Sequence, residues 1–512
     1  MKKRILWIDD QIDNLKSLTL FLQNEGYEVV ASSNGLDGLE KVKNEVFDLI
    51  ILDQYMPGLD GIETLTLLKE YSTNIPVIMV TKSDDRDIIR NAISLKINDY
   101  LIKPINAIQL LTTIKRILEN KKIISDSIGE RYSNFLKKVE KSLNDEISLD
   151  SFFELHHISS SMNVILNEFL KKDIISLHEQ TKENMNKVFC RFISKNYTNL
   201  LNDKNLTFSH RLFEHKVFPI LKDGKSVTFI LIDCMRYDQY LIFNSILSEY
   251  FRVKNDHYYS IIPTATPFSR NSIFSGFLPL EIYRIFPERW DFEDNLSQNQ
   301  YEEEFIKSLA KKNGVETVHY SKVSTNEALS RYISNFSNLK NNRLNVLVIN
   351  IMDIFTHIRS DSNILKDMLP DENSLLSFTG IWIKTSGILE LVEKSIEFGN
   401  KVFITSDHGS IVSKNPIVLN TGKDVSINLK YKFGSSIDPQ SKDLLIIEKP
   451  EDYGLPVQKP NDRWYITFGN GYFIYSTKLN QYKKEYYNTF QHGGISMEEM
   501  ILPIGIVEGK YV

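Results

Sequence analysis

The chain has 512 residues, too many for one hydrophobic core, and a length of this size predicts about three domains. With 42% hydrophobic and 25% charged residues it has the composition of a soluble globular protein. The net charge of −5 argues against a generally basic surface that coats nucleic acid.

Cysteine content and the distribution of apolar residues indicate the compartment in which the protein works. The two cysteines, Cys190 and Cys234, are too few for a disulfide framework, which fits a reducing compartment. The start of the sequence lacks the apolar core of a secretory signal, and no apolar run reaches the roughly 18 residues of a membrane span. We therefore expect a cytoplasmic protein without membrane insertion.

Residues 1–120 alternate continuous apolar runs with amphipathic segments. The runs FDLIILD and IPVIMVT show no polar alternation, as is typical of parallel strands that are covered on both faces. The order of strands and helices predicts a doubly wound parallel sheet as the first domain.

Polar residues follow the predicted strands of this domain at their carboxyl ends. They are Asp9, Asp10, Asp53, Thr81 and Lys103. Three carboxylates at one sheet edge repel each other unless a hard cation joins them, and Mg²⁺ prefers such oxygen ligands. Asp53 could then attack an incoming phosphoryl group, with Lys103 as a fixed positive charge and Thr81 as a hydroxyl that follows the new phosphate.

These five residues, with the sequence MPG behind Asp53 and a proline behind Lys103, resemble the motifs of a response-regulator receiver domain. The resemblance implies that a sensor histidine kinase feeds phosphate to Asp53. It also implies a Mg²⁺ site formed by Asp9, Asp10 and Asp53, and a homodimer that forms on phosphorylation.

Residues 121–218 form a second zone, in which positions 130–218 contain neither glycine nor proline. Apolar residues recur there at helical spacing, which predicts an all-α helical bundle that links the other two domains. The adjacent pair His156 and His157 could belong to a phosphorelay or a metal site, but we favour a position on the helix surface.

Residues 219–512 contain three apolar runs that each end in aspartate. SVTFILID ends at Asp233, LNVLVINIMD at Asp353 and NKVFITSD at Asp407. Strands separated by helical stretches predict an α/β effector domain, and ligands of such sheets gather beyond the carboxyl ends of the strands.

Three histidines accompany these aspartates. His408 follows Asp407 directly, His357 lies four residues after Asp353 and so on the same face of a helical turn, and His492 lies in the stretch QHGG. A mixed set of oxygen and nitrogen ligands suits Zn²⁺. Six ligands divide into two metal sites, and two cations about 3.5–4 Å apart can stabilise both the attacking and the leaving oxygens of a phosphoryl transfer.

A threonine in the turn PTATPFSRN supplies a candidate nucleophile. Thr266 precedes a predicted helix, whose free N–H groups would face a bound phosphate. Thr264 is the alternative, with a less suitable spacing to Gly276. Arg270 could contact the substrate phosphate or form a salt bridge. Cys234 is interpreted as a small buried residue rather than a ligand.

The order of these residues resembles the alkaline phosphatase superfamily, and within it the PglZ domain. The resemblance implies zinc-dependent hydrolysis of phosphodiesters by Thr266. It implies two Zn²⁺ ions, one addressed by Asp233, Thr266, Asp407 and His408, and the other by Asp353, His357 and His492.

Residues 409–491 separate two of the predicted ligands and are rich in aromatic residues with interleaved lysines. Two interpretations remain open. They form a cap whose rings, Tyr431 and Tyr472 among them, stack nucleobases, or they form a β-rich subdomain whose aromatic residues make its own core.

The order of the three domains resembles that of PorX-type response regulators, which are associated with type IX secretion. This family implies hydrolysis of cyclic or linear oligonucleotides, and partners such as a sigma factor or a component of the secretion machinery. The rival interpretation is a zinc-stabilised docking platform with little catalysis that signals phosphorylation to a transcription or secretion partner. Direct sequence-specific DNA binding is not expected, because the helical zone lacks a basic helix-turn-helix pattern.

Overall fold

The structure is a computed structural model, and it describes residues 2–71, 75–82, 97–144, 147–169, 172–292, 299–354, 371–421, 428–435, 437–439, 441–476 and 479–510. The chain divides into two compact units, residues 1–133 and 134–512. Among the described helices, none has both the length and the apolar composition to cross a membrane alone. One pair of helices, Glu372–Thr385 and Ile388–Glu397, reaches that length and composition only when joined, and it is bent by 48°.

The first unit is a five-stranded sheet with helices on both faces. Its strands are β1 Arg4–Ile8, β2 Glu28–Ser32, β3 Leu49–Asp53, β4 Val77–Thr81 and β5 Asp99–Ile102. Its described helices are α1 Lys16–Asn24, α2 Gly35–Asn44, α3 Gly61–Tyr71 and the start of α4 Ala107–Asn144. The strands are all parallel and lie in the order β2-β1-β3-β4-β5.

Alternation of side chains along the strands fills the core on both sides of this sheet. Leu6 and Ile8 of β1 pack with residues of α2 and α3, whereas Ile5 and Trp7 pack with residues of α1 and α4. Because both faces are covered, the strand sequences carry no polar alternation. The predicted doubly wound parallel sheet is confirmed.

The second unit begins within α4 and continues through two long helices, α5 Leu149–Phe169 and α6 Lys172–Asn202. These helices lie in the zone for which the sequence predicts helices throughout. They belong to the same compact unit as the effector domain, and the division between the units falls at residue 133 rather than at 120 or 218. The division into three domains is kept as a proposal.

The effector domain is built on a six-stranded mixed sheet. Its strands are β6 Val227–Ile232, β7 Phe251–Tyr259, β8 Val318–Val323, β9 Leu344–Ile349, β10 Lys401–Thr405 and, later in the chain, β19 Ile501–Lys510. They lie in the order β7-β19-β10-β6-β9-β8. β10, β6, β9 and β8 are parallel, and β19 is antiparallel to both of its neighbours.

Helices cover this sheet, and buried residues from them complete its core. The described helices of the domain are α7 Phe218–Lys222, α8 Tyr237–Leu247, α9 Thr266–Ser275, α10 Pro279–Ile285, α11 Glu302–Lys312, α12 Asn326–Asn335, α13 Glu372–Thr385, α14 Ile388–Glu397, α15 Leu479–Tyr486 and α16 Met497–Met500. The predicted multidomain α/β architecture, with a parallel-sheet domain, a helical region and an effector sheet, is confirmed.

Between β10 and β19 the chain forms three small sheets. Their strands are β11 Ile411–Val412, β12 Asn415–Thr421, β13 Tyr431–Gly434, β14 Ile437–Pro439, β15 Leu444–Ile447, β16 Arg463–Thr467, β17 Gly471–Tyr475 and β18 Phe490–Gln491. They pair as β11-β18, β14-β12-β17 and β13-β16-β15.

The two tyrosines of this β-rich segment that could stack nucleobases pack inward. Tyr431 is 1% and Tyr472 is 0% exposed. The Tyr431 ring lies edge-on to Phe268, with centroids 5.3 Å apart, and it also stacks on Trp464. Of the two interpretations left open for this segment, stacking of nucleobases on Tyr431 and Tyr472 is therefore wrong, because neither ring has a face open to a ligand.

The histidine pair of α5 also differs from the expectation. His156 is 3% exposed and lies beside the Tyr237 ring, because α5 packs against α8 and this side of the helix is covered. His157 is exposed, and its Nδ1 lies 3.3 Å from the hydroxyl of Tyr237. A surface position is thus wrong for His156.

Candidate functional site

The receiver site lies at the carboxyl edge of the first sheet. Asp9, Asp10 and Asp53 each offer one carboxylate oxygen, and these oxygens lie within 4.8 Å of one another. Nζ of Lys103 lies 2.8 Å from Oδ2 of Asp9 and 3.0 Å from Oδ2 of Asp53. Thr81 is buried at the end of β4, the strand next to β3. The fold thus brings the five predicted residues to one edge.

The electrostatics of this edge favour a bound cation. Burial raises the pKa of Asp53, and the charges of Asp9 and Asp10 raise it further against the opposing effect of Lys103. Burial also lowers the pKa of Lys103, but its hydrogen bonds to Asp9 and Asp53 outweigh burial and the net shift is upward. Oδ1 of Asp53 has no hydrogen-bond partner among the described residues. A hard divalent ion with oxygen ligands fits this arrangement.

The effector site is built where three neighbouring parallel strands end. β6 leads directly into Asp233, Asp407 follows the end of β10, and Asp353 follows the end of β9. Because the strands lie side by side in the order β10-β6-β9, their carboxyl ends meet at one edge. Ligand atoms of Asp233, Asp407 and His408 lie within 4.8 Å of one another, and all three residues are buried.

The orientation of His408 is fixed by its backbone neighbour. Its Nδ1 lies 3.1 Å from the carbonyl oxygen of Gly409, a contact in which Nδ1 carries the proton and donates it. In the neutral imidazole this tautomer leaves the lone pair on Nε2, which faces Oγ1 of Thr266 at 2.9 Å. It also lies 3.6 Å from Oδ1 of Asp233 and 3.6 Å from Oδ2 of Asp407. Fixing one imidazole nitrogen in this way presents the other nitrogen to a metal.

A second group of ligand atoms adjoins the first. The His492 ring stacks on the His408 ring, with centroids 4.2 Å apart. Nε2 of His492 lies 3.7 Å from Oδ1 of Asp353. His357 lies outside the residues that the structure describes, so its place in this group remains a prediction.

The donor set of the effector site fits cations. Oδ1 of Asp233 and Oδ2 of Asp407 are buried and have no hydrogen-bond partner within the described part of the chain. Burial raises the pKa of Asp233 well above its ordinary value, and the neighbouring charge of Asp407 adds to the shift. A cation would remove this repulsion, and carboxylates with imidazoles are ligands that zinc accepts. Asp233, Asp407 and His408 would hold one ion, and Asp353 with His492 would contribute to a second.

Arg270 is buried at this edge of the domain, and its Nε and Nη1 atoms bond to three protein partners. Its Nη1 lies 2.7 Å from Oδ2 of Asp233 and 3.1 Å from Oδ1 of Asn350, and its Nε lies 2.5 Å from Oε1 of Glu302. The salt bridge that the sequence left open as an alternative is therefore formed. A contact between Arg270 and a substrate phosphate remains a prediction.

The helix that begins at Thr266 offers fewer free donors than expected. Thr266 is the first residue of α9, and Pro267 behind it has no N–H group. The N–H groups of Phe268 and Ser269 both donate to the carbonyl of Ala265. The expectation of several free N–H groups facing a phosphate is therefore wrong, because a local turn at Ala265 uses them.

Thr264 has a partner that separates its role from that of Thr266. Its hydroxyl donates to the carbonyl of Gly494 at 2.7 Å, and it accepts the N–H of Gly493 at 3.2 Å. Thr264 thus holds the loop behind His492. Of the two threonines, it is Thr266 that contacts His408.

Two serines that hold the ligand loops were not found from the sequence. Oγ of Ser406 accepts the N–H of Met235 at 2.9 Å and donates to the carbonyl of His408 at 2.7 Å. Oγ of Ser260 donates to the carbonyl of Asp407 at 3.0 Å. Neither serine belongs to a motif, and only the packing of β7 and β6 around the loop of Asp407 shows their role.

Two family models match the chain. The response regulator receiver domain matches residues 5–115, and the BREX system PglZ alkaline phosphatase-like domain matches residues 212–506, more than half of the chain. Fold and sites together define a two-component response regulator whose receiver domain is joined to a phosphatase-like effector domain. The chain belongs to the family of BREX system PglZ alkaline phosphatase-like domains.

Curated relatives and solved structures are similar to part of the chain. The transcriptional regulatory protein ZraR of Klebsiella oxytoca is 36% identical over 126 residues, which are 25% of this chain and 28% of ZraR. The alkaline phosphatase synthesis transcriptional regulatory protein PhoP of Bacillus subtilis is 29% identical over 33% of this chain and 70% of PhoP. The chemotaxis protein CheY4 of Vibrio cholerae is 29% identical, with a TM-score of 0.23, over 23% of this chain and all of CheY4. The chain thus spans less than a third of the length of ZraR.

Proposed function

We propose that this response regulator is phosphorylated at Asp53 and that its effector domain is a zinc-dependent phosphodiesterase with Thr266 as nucleophile. The observation that carries the proposal is the 2.9 Å contact between Oγ1 of Thr266 and Nε2 of His408, beside the buried carboxylates of Asp233 and Asp407. An alcohol held against buried acids and an imidazole is the combination that covalent phosphoryl transfer needs.

In the proposed reaction Oγ1 of Thr266 attacks the phosphorus of the diester. The bond from phosphorus to the leaving alcohol breaks, and the hydroxyl proton of Thr266 ends on that alcohol. The intermediate is a nucleotidyl ester of Thr266, which keeps the second alcohol on phosphorus. Water then attacks this phosphorus, the bond to Oγ1 of Thr266 breaks, a proton from the water returns to Oγ1, and a phosphomonoester is released. His408 keeps Nε2 turned toward the reacting hydroxyl throughout, because its Nδ1 is held by the carbonyl of Gly409.

Zinc, when bound, would neutralise negative charge that develops on the phosphoryl and leaving oxygens. The role of the protein side chains would be to hold two zinc ions at one edge of the sheet. Asp233, Asp407 and His408 belong to the first site, and Asp353, His492 and the predicted ligand His357 to the second. The buried guanidinium of Arg270 holds Asp233 in place from the other side.

Substrates of the proposed reaction are cyclic or linear oligonucleotides, which the family resemblance favours. A sensor histidine kinase would phosphorylate Asp53 in a receiver site that holds Mg²⁺ through Asp9, Asp10 and Asp53. The resulting homodimer would alter access to the effector site. In this proposal the protein works in the cytoplasm and regulates type IX secretion through a sigma factor or a secretion component.

The test is zinc analysis of the full chain together with assays on short oligonucleotides and cyclic dinucleotides. Thr266→Ala should abolish turnover and leave the zinc content near wild type, whereas Thr264→Ser should retain turnover. Full activity in Thr266→Ala would show that the nucleophile is another group. A wild-type protein that binds zinc and hydrolyses none of the substrates would instead be the docking platform.

A further inference from the structure

Three polar residues of the paired helices α5 and α6 reach into the effector domain. They are Asn163 on α5, and Lys182 and Asn186 on α6. Each bonds to a residue that adjoins one of the loops carrying predicted zinc ligands. The helices are therefore connected to the effector site by specific polar contacts.

The first connection runs from Lys182 to the loop that follows Asp233. Nζ of Lys182 lies 2.8 Å from Oε2 of Glu372, and Oε1 of Glu372 accepts from Nη1 of Arg236 at 3.0 Å. Arg236 is only three positions after Asp233, and it is 2% exposed. Lys182 and Arg236 together hold the pKa of Glu372 well below its ordinary value, although burial alone would raise it.

Asn163 strengthens the same connection from α5. Its Nδ2 donates to Oδ2 of Asp238 at 2.7 Å and lies 3.4 Å from Oε2 of Glu372. Asp238 in turn is bonded to the guanidinium of Arg236 through two contacts. The turn between β6 and α8, which begins at Asp233, is thus held from the side of the helices.

The second connection runs from Asn186 to α16. Its Nδ2 donates to Oε2 of Glu498 at 2.8 Å, and its Oδ1 accepts the N–H of Met497 at 2.8 Å. Helix α16 follows the loop of His492, and its backbone lies directly against Gly409, next to His408. A methyl group added at Gly409 would lie 1.9 Å from the carbonyl oxygen of Glu498.

A partly open cleft lies beside these contacts. A cavity of about 180 Å³ lies between α6 and the effector domain, and it is lined by Lys182, Asn186, Glu372 and Glu498 among others. Leaving one partner of a buried polar contact unsatisfied costs about 1–3 kcal/mol, and more when the partner is charged.

We propose that α5 and α6 position the zinc ligands of the effector domain, with Lys182 and Asn186 as positioning residues. Lys182 acts on Asp233 through Glu372 and Arg236, and Asn186 acts on His408 through α16. The inference rests on the proposed function for the identity of the bound ion. In this proposal the helical segment is part of the effector site. A displacement of α6 would change the positions of the zinc ligands although α6 does not contact the substrate.

The experiment measures the affinity of the full chain for Zn²⁺ by competition with a chromogenic chelator. It compares wild type with Lys182→Met and Asn186→Leu, and Lys182→Arg tests rescue by the conservative change. Lys138→Met is the matched control, because Lys138 of α4 pairs with Glu154 of α5 at 3.0 Å on exposed surfaces, away from the contacts with the effector domain. Hydrogen exchange at residues 233–238, 407–410 and 497–500 is the second readout.

We expect zinc affinity to fall by at most about tenfold in Lys182→Met and in Asn186→Leu, the low end of the range for groups that bond to metal ligands directly, because both residues act through intermediate residues. Exchange should be faster at 233–238 in the first variant and at 407–410 and 497–500 in the second. Lys182→Arg should recover the affinity, and Lys138→Met should equal wild type. If Asn186→Leu does not fold, the test depends on Lys182→Met, because the side chain of Lys182 is partly exposed and its replacement disturbs the fold less.

Wild-type zinc affinity and exchange in both variants would overturn the proposal. A loss in Lys182→Met that Lys182→Arg does not recover would overturn the role of Lys182, because a cation at that position would then be irrelevant. If wild type binds zinc but hydrolyses no diester while the variants lose affinity, the positioning role stands and the hydrolase does not. If wild type binds no zinc, the metal assignment is wrong, and exchange alone decides the positioning role.

Discussion

Nη1 of Arg270 lies 2.7 Å from Oδ2 of Asp233, so a buried guanidinium faces one oxygen of this carboxylate while its other oxygen faces His408. The same arginine donates to the buried carboxylate of Glu302. Arg270→Met would leave the buried carboxylate of Asp233 without this cation, and Glu302 would keep only Lys322 as a cationic partner among the described residues, whose Nζ lies 3.1 Å from its Oε2. We expect the free energy of unfolding to fall by about 3–5 kcal/mol, the range for a broken buried ion pair.

A double-mutant cycle separates this contact from general damage. Urea unfolding of Arg270→Met, Glu302→Gln and the double variant gives the coupling between the two residues. The double variant should cost at least about 1 kcal/mol less than the sum of the single changes, because both remove the same contact. Additive effects would mean that the two side chains do not stabilise each other.

Cys234 has a backbone conformation that favours glycine. Its φ of 62° is in the left-handed region, which costs a residue with a side chain about 1 kcal/mol or more. Cys234→Gly should therefore be at least as stable as Cys234→Ala, measured as midpoints of urea unfolding. At Cys190, inside helix α6, the same comparison should favour alanine by about 1 kcal/mol. Alanine that is more stable at both positions would argue against strain at Cys234.

Gly409 is required by the close approach of α16. A Cβ atom there would lie 1.9 Å from the carbonyl oxygen of Glu498, a backbone atom that cannot turn aside. Gly409→Ala should lower the free energy of unfolding by about 1–3 kcal/mol and should weaken zinc binding, because the Gly409 carbonyl orients His408. Gly509→Ala is the control, since nothing lies within 4 Å of its Cβ position. Equal zinc affinity in both variants would contradict this role.

Buried His156 makes stability depend on pH. Burial lowers its pKa to about 3, from the 6.5 of a free histidine. Between these values the unfolded chain binds a proton that the folded chain does not, so stability is complete above about pH 6.5 and falls as the pH decreases toward 3. His156→Gln should reduce the slope of unfolding free energy against pH by up to about 1.4 kcal/mol per pH unit in this window. His157→Gln, at the exposed neighbour, should change the slope much less, and equal effects would refute the assignment.

Magnesium should stabilise the receiver unit through its three carboxylates. A ligand that binds only the folded state raises the melting temperature as its concentration rises. Wild type should show this rise with MgCl₂, and Asp10→Asn should lose most of it. Asp13→Asn removes a nearby exposed acid that pairs with Lys16, and it should respond as wild type does. A response that disappears in both variants would indicate general screening of charge.

The sequence predicts that the acids at the strand ends lie close together, and the reason is physical. Parallel strands bring their carboxyl ends to one edge, so Asp233, Asp353 and Asp407 could be grouped before any coordinates were known. The same rule grouped Asp9 and Asp53 in the first domain. Periodicity of apolar residues likewise predicted where helices replace strands after residue 120.

The sequence could not predict contacts that depend on tertiary packing. Glu302 begins a run of three glutamates that reads as an exposed helix start, yet it is buried against Arg270 because α11 packs on α9. Burial of His156 and Tyr431 depends in the same way on what covers them, and residue type alone does not reveal it. The sequence shows one reason why few N–H groups are free near Thr266, since Pro267 has no N–H group. It does not show that the N–H groups of Phe268 and Ser269 donate to the carbonyl of Ala265.

Strand β19 lies between β7 and β10 in the effector sheet, although it follows both in the chain. In a nascent chain that has been synthesised only as far as β10, strands β7 and β10 both lack the neighbour, β19, with which they pair in the complete sheet. The edge that carries His408 therefore cannot reach its final form until residues 501–510 have been synthesised. Assembly of the effector sheet around the candidate site is for this reason a late event in the synthesis of the chain.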